Sequence, residues 1–351
     1  MAAFVLVPSL YYFEIEWFPF NIISRHWLIF GSLPINIFIA KSVVQYNGEV
    51  LSIRGNIVST LIRPNKILYR IFKPSARFVR FYVHPQAWLG SKIFGPFGVL
   101  TKRTNFGGVP GVTFTPKKNQ RQNTLIVFLH GGGYSFGSSL TTHRLGLTNL
   151  SKITRSVCHS VDYRLAPENP YPAALDDALA AWRDIVTKNP DSQIILAGDS
   201  AGGGLSLALM MYLRDHDEKL PDASVLFSPW TDLTCESESH RTKAKADPMF
   251  IHKMTKDSAE NYVPENIDKK EPYISPAFGD FTGLPRILVM TGENEILLDD
   301  TNIIGEKAAK DGVDIEIEIW PNMFHDWWLF GNFIPETKQC LQKIADWINT
   351  I

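Results

Sequence analysis

From residue 123 onward, short apolar runs rich in β-forming residues alternate with stretches of helical periodicity, and this rhythm restricts the fold more than any other feature of the chain. Thr124–Leu129 (TLIVFL), Val157–Val161, 193–197, Ala223–Phe227, 286–291 and Ile315–Trp320 read as strands, most of them apolar enough to be covered on both faces. Between and after them, 141–154, 171–188, 205–214, 300–311 and Pro335–Ile348 read as helices. Ala174, Leu175, Ala178, Leu179 and Trp182 form one apolar stripe, whereas 205–214 is apolar nearly all round and should be buried. Repeated β–α alternation predicts an α/β fold, a mostly parallel central sheet with helices on both faces. Residues 232–283 break the rhythm: they are polar, hold Pro248, Pro264, Pro272 and Pro276, and are expected to cross the top of the sheet as an insertion.

With 45% hydrophobic and 20% charged residues, the 351-residue chain can bury a large core, which excludes disordered and fibrous classes. A formal net charge of −1 offers no support for nucleic-acid binding. Cys158, Cys235 and Cys340 are too widely spaced for a disulfide framework or a zinc cluster. Cys158, inside a strand, is expected to be a packing residue. Asn149-Leu150-Ser151 is a glycosylation sequon within a predicted helix.

Residues 1–95 differ in texture from the rest of the chain, 96–351. The first hundred residues hold only three acids, Glu14, Glu16 and Glu49, among many aromatics. The first charges are acidic, which does not suit a secretory signal. The uncharged run 27–40 is broken by Pro34 and falls short of the ~20 residues that span a bilayer. Farther on, Lys66, Arg70, Lys73, Arg77 and Arg80 interleave with Ile67, Tyr69, Ile71, Phe72, Phe78, Phe81 and Tyr82. That pattern suits a segment lying on a membrane surface, a cap over an apolar site, or an assembly interface. The expectation is a cap with membrane contact, in a membrane-associated location of the endoplasmic-reticulum kind rather than the cytoplasm. Oligomeric state stays open.

Chemistry is concentrated in two glycine-rich turns. Gly198-Asp199-Ser200-Ala201-Gly202 joins an apolar strand to an apolar helix, the context in which a G-x-S-x-G turn lifts a serine hydroxyl above the sheet edge. His130-Gly131-Gly132-Gly133 follows the first core strand, and successive glycines let backbone N–H groups converge on one point, as an oxyanion requires. No Lys-Ser or Lys-Thr follows, so a phosphate loop is disfavoured. His130 is expected to shape the loop. A serine needs a base and a group that orients the base. Of the four histidines after Ser200, His216 sits among surface charges and His240 and His252 lie in the insertion; only His325 lies between a strand and the final helix. Glu293, Glu295, Asp299 and Asp300 are candidate acids. Asp299 and Asp300 suit a helix first turn, which favours Glu295.

These residues, with Asp162-Tyr163-Arg164-Leu165-Ala166-Pro167-Glu168 and Pro321-Asn322-Met323-Phe324-His325, resemble the hormone-sensitive-lipase-like branch of the α/β-hydrolases. The resemblance implies an α/β-hydrolase fold with a cap, Ser200 as nucleophile, His325 as base, and glutamate at position 295 where the family usually has aspartate. It implies oxyanion donors from Ala201 and two glycines, chosen from Gly131, Gly132 and Gly133. Gly204, where many relatives have asparagine, is expected to loosen local packing. The long apolar leading segment is similar to the fungal steryl-acetate hydrolase branch and implies a lipophilic substrate. The reading is a cofactor-free, metal-free serine hydrolase of short-acyl esters. The alternatives are an amidase or deacetylase with the same triad, and a non-catalytic ligand-binding member such as the gibberellin-receptor relatives.

Overall fold

The computed structural model describes residues 51–95 and 98–351, so the apolar run 27–40 lies outside the described residues. Eight strands form one sheet: β1 Val99–Phe106, β2 Val109–Pro116, β3 Thr124–Leu129, β4 Val157–Val161, β5 Gln193–Asp199, β6 Ala223–Phe227, β7 Ile287–Gly292 and β8 Ile315–Trp320. Their order is β1-β2-β4-β3-β5-β6-β7-β8. Pairing is antiparallel at β1–β2 and β2–β4 and parallel elsewhere. The β1–β2 hairpin is absent from the sequence-based strand set. Its signal is Gly107-Gly108, both at positive φ (59° and 95°) in a two-residue turn that pairs Phe106 with Val109.

Among the described residues three helices precede the sheet: α1 Ile53–Ile62, α2 Pro64–Phe72 and α3 Ala76–Phe94. The rest are α4 Arg144–Thr154, α5 Ala173–Lys188, α6 Ala201–Asp215, α7 His252–Tyr262, α8 Leu298–Asp311 and α9 Pro335–Ile348. Strand side chains alternate between two cores, as a period of two requires. Val127, Leu129, Leu196 and Val289 pack with α5, α6 and α8 on one face. Ile126, Phe128, Ile195 and Met290 pack with α4 and α9 on the other. Helix α6 starts four residues before the periodicity suggests, because Gly202, Gly203 and Gly204 are poor helix formers that packing holds in the helix. Gly204 does not loosen that packing: a Cβ there would run into the Trp230 carbonyl oxygen. Asn149 is buried and donates to the Leu145 carbonyl, so this sequon is not presented to solvent.

The segment 232–283 contributes α7, a single turn at Ser239–Thr242 and a 3-10 turn at Pro276–Phe278. The early helices are fastened to it and to the loop after β3. Lys66 donates to the Ala244 and Asp247 carbonyls (2.7 and 2.6 Å). Arg80 donates to the Ser135 and Ala166 carbonyls (2.7 and 2.5 Å) and pairs with Glu168. Among the described residues no helix is long and apolar enough to cross a membrane.

Candidate active site

The C-terminal ends of the parallel strands bring the candidate residues together. Ser200 occupies the turn between β5 and α6 with φ 51° and ψ −121°, a region that a residue with a Cβ enters only when its surroundings hold it there. The holding bonds are visible: Ser200 N donates to the Phe227 carbonyl (2.8 Å), and the Ser200 carbonyl accepts from Trp230 N (2.8 Å), Gly203 N and Gly204 N. The side chain sits at the N-terminus of α6, where the helix dipole favours negative charge.

Glu295 and His325 meet. Glu295 lies in the loop after β7, and its Oε2 is 2.8 Å from His325 Nδ1. Its Oε1 accepts from Ser228 Oγ (2.7 Å), the Gly292 amide and, more weakly, Thr291 Oγ1 (3.4 Å). Both Glu295 and His325 are buried. The ring edge of Phe250, from the insertion, closes on the imidazole with centroids 4.8 Å apart. Burial would lower the basicity of His325, but the carboxylates of Asp326 and Glu295 outweigh it and hold its pKa well above the ordinary value. Asp326 Oδ2 lies 3.0 Å from His325 Nε2. Nε2 itself has no hydrogen-bond partner among the described residues, so no bond joins it to Ser200 Oγ in this arrangement.

The other acids have separate tasks. Asp299 accepts from Ser239 N (2.7 Å). Asp300 accepts from the amides of Thr231 (2.7 Å) and Asp232 (2.9 Å), and burial raises its pKa to about 8. Glu293 accepts from Asn322 N (2.9 Å).

The glycine loop faces the serine turn across β3 and β5. Gly132 has φ 115°, a conformation only glycine adopts freely. Gly131 leaves the set of candidate oxyanion donors. Its amide donates to Asp199 Oδ1 (2.8 Å) and lies 3.2 Å from His143 Nε2, so it points into the protein. Among the described residues the amides of Gly132, Gly133 and Ala201 make no backbone hydrogen bond and remain as donors. His130 shapes the loop: its Nδ1 donates to the Gly131 carbonyl (2.8 Å), its ring stacks on Tyr163, and burial lowers its pKa to about 4.

Sequence reasoning missed a second buried pair. His143 Nε2 lies 2.9 Å from Asp199 Oδ2. Burial alone would lower the His143 pKa, but the Asp199 charge raises it, and His143 in turn holds Asp199 below the usual carboxylate range despite burial. Asp199 was readable as part of the serine motif; nothing local in Thr141-Thr142-His143 announced its partner. Among the described residues no group of three or more His, Cys, Asp or Glu side chains is placed to hold a metal ion.

Comparison with known proteins places the arrangement. A family model described as alpha/beta hydrolase fold matches residues 126–329, more than half of the chain. The chain is 37% identical over 226 residues to an acetyl-hydrolase of Streptomyces hygroscopicus, covering 64% of this chain and 75% of that protein. It is 36% identical over 243 residues to an esterase of Acinetobacter venetianus, covering 69% and 80%. A crystal structure of an esterase from the bacterial hormone-sensitive lipase family superposes with a TM-score of 0.78 at 33% identity, over 86% of this chain and 99% of that one. With a strained serine between β5 and α6, a carboxylate-bound histidine after β8 and this set of relatives, the chain belongs to the α/β-hydrolase family, among its carboxylic ester hydrolases of the hormone-sensitive-lipase type.

Proposed function

We propose that this hydrolase cleaves short-acyl, acetyl-type esters of a lipophilic alcohol, with Ser200, His325 and Glu295 as its triad. The Glu295–His325 bond at 2.8 Å carries the assignment. It fixes the proton on Nδ1 and leaves Nε2 as the basic nitrogen, the tautomer that can accept the Ser200 proton. Ser200 Oγ attacks the ester carbonyl as Nε2 takes its proton. The oxyanion is met by the amides of Gly132, Gly133 and Ala201 at the start of α6. His325 then protonates the leaving alcohol, and water, deprotonated by the same nitrogen, releases the acid from the acyl-serine. The acetyl preference is supported by the likeness to the Streptomyces acetyl-hydrolase. Ser200→Ala is expected to abolish turnover of p-nitrophenyl acetate with the circular dichroism spectrum unchanged; retained turnover overturns the assignment. Matching acetanilides separate this reading from an amidase.

The lipophilic part of the proposal rests on the early helices, which we infer lie against an anionic lipid surface. Ile71, Phe72, Phe78, Phe81, Trp88 and Ile93 are all exposed on α2 and α3. Cations flank them, and α1 to α3 contain no acid. Exposed aromatics beside Arg70, Lys73 and Lys92, which make no ion pair among the described residues, suit an interfacial helix pair. Arg80 ties that pair to Ser135, just past the glycine loop, so a substrate dissolved in lipid would arrive beside the site.

A further inference from the structure

Asp326 follows the proposed base directly, and the triad gives it no task. Its backbone is left-handed (φ 51°, ψ 36°) and its side chain is buried. That conformation turns the carboxylate back onto its neighbour, with Oδ2 3.0 Å from His325 Nε2, and sets it near the Asp199 carboxylate, whose charge raises the Asp326 pKa. Asp199 in turn bonds to His143 (2.9 Å) and to the Gly131 amide (2.8 Å). Two buried pairs, Glu295–His325 with Asp326 beside it and His143–Asp199 on the glycine loop, are therefore coupled through the charges of Asp326 and Asp199. The Asp326 contact lies off the direction of the Nε2 lone pair, since Nε2 forms no hydrogen bond. The lobe that must accept the serine proton is left open while a carboxylate stands beside it.

We propose that Asp326 is a positioning residue that holds the His325 ring from its Nε2 side and governs when that nitrogen is free to take a proton. The proposal rests on His325 being the base. The charged groups around the imidazole are Glu295 from the loop after β7, Asp326, and Asp247 from the insertion. Around Asp326 stand His325, Asp199 and Glu295, with His143 behind Asp199. Burial raises the Asp326 pKa to about 7 while the His325 charge pulls it down.

An anionic Asp326 favours imidazolium, and imidazolium cannot act as a base. The acid limb of activity should therefore lie above the ordinary histidine value of about 6.5 and move down when Asp326 is neutralised. Asn at 326 keeps the shape and removes the charge. The test uses the full chain and two readouts over pH: the rate at which a fluorophosphonate labels Ser200, and kcat and KM for p-nitrophenyl acetate. For Asp326→Asn the midpoint of the acid limb is expected to fall by about one unit, which is about tenfold faster labelling on that limb, with the change in kcat rather than KM. Superposable profiles for parent and variant overturn the proposal. If Asp326→Asn does not fold, Asp326→Ser, which also removes the charge, is read in the same way: a lowered midpoint supports the proposal and a superposable profile overturns it. His325→Asn separates the two layers, because labelling that survives this change removes the base assignment itself.

Discussion

The two oxygens of Glu295 have different partners, and that asymmetry decides what a substitution would do. Oε1 is held by three donors, Ser228, Thr291 and the Gly292 amide, whereas Oε2 faces only His325 Nδ1. Glutamine at this position must keep its carbonyl on the three donors and so turns its NH₂ toward Nδ1. The imidazole then carries its proton on Nε2, the tautomer that cannot accept one from Ser200. Glu295→Gln is therefore expected to lower kcat by roughly 10³–10⁴ with KM little changed. Asp299→Asn, whose carboxylate serves Ser239 N and Asn302, should change kcat by less than about threefold. Steady-state kinetics on p-nitrophenyl acetate distinguish the two, and a reversed ranking moves the acid. At this scale the sequence was legible wherever chemistry demands a residue type at a fixed spacing, as for Ser200 and the glycine loop. It was silent where function depends on backbone conformation: the left-handed turn at Asp326 and the orientation that withdraws the Gly131 amide leave no pattern in composition.

Elements were legible when their side chains had one environment. Strands β3, β4, β6 and β8 and helix α9 fall at the residues their apolar runs indicate. Helix α6 was misjudged at its start because three glycines argue against helix locally while the fold argues for it. The structural reason is close approach. The first turn of α6 lies against the segment that follows β6, with Trp230 N bonded to the Ser200 carbonyl and the Trp230 carbonyl occupying the space where a Gly204 side chain would be. The obstacle is backbone, so it cannot swing aside. Gly204→Ala is expected to destabilise the protein by about 1–3 kcal/mol, seen as a Tm lower by several degrees, and to misplace the Ser200 turn enough to reduce kcat. An unchanged Tm would mean that the elbow yields more readily than its contacts imply. The β1–β2 hairpin was overlooked for the opposite reason: β1 is largely exposed and polar, so its periodicity is weak and only the Gly107-Gly108 turn marks it.

Over the whole molecule, near-neutrality conceals a strong division of charge. Residues 50–161 contain sixteen Lys and Arg and no Asp or Glu, whereas residues 162–351 contain 33 acids and 17 bases. The sheet order turns this division in sequence into one in space, because the acid-free stretch supplies α1 to α4 and strands β1, β2, β4 and β3, and the acidic stretch supplies β5 to β8. Arg70, Lys73 and Lys92 make no ion pair among the described residues, and they share α2, α3 and the turn between them with exposed Phe72, Phe81 and Trp88. A net charge of −1 would predict indifference to lipid charge; a cationic, aromatic half predicts preference for anionic membranes, at about 1 kcal/mol for each basic side chain brought to the surface. The full chain is expected to cosediment with phosphatidylcholine vesicles carrying phosphatidylserine at least about tenfold more strongly than with phosphatidylcholine alone, an excess that high salt removes. Combining Arg70→Glu, Lys73→Glu and Phe81→Ser should erase that excess while leaving hydrolysis of a water-soluble ester intact, since none of the three touches the triad or the glycine loop. Equal binding to both vesicles would reject the lipid assignment for this face, and loss of the excess without loss of soluble activity would place lipid contact on the cap and catalysis on the sheet.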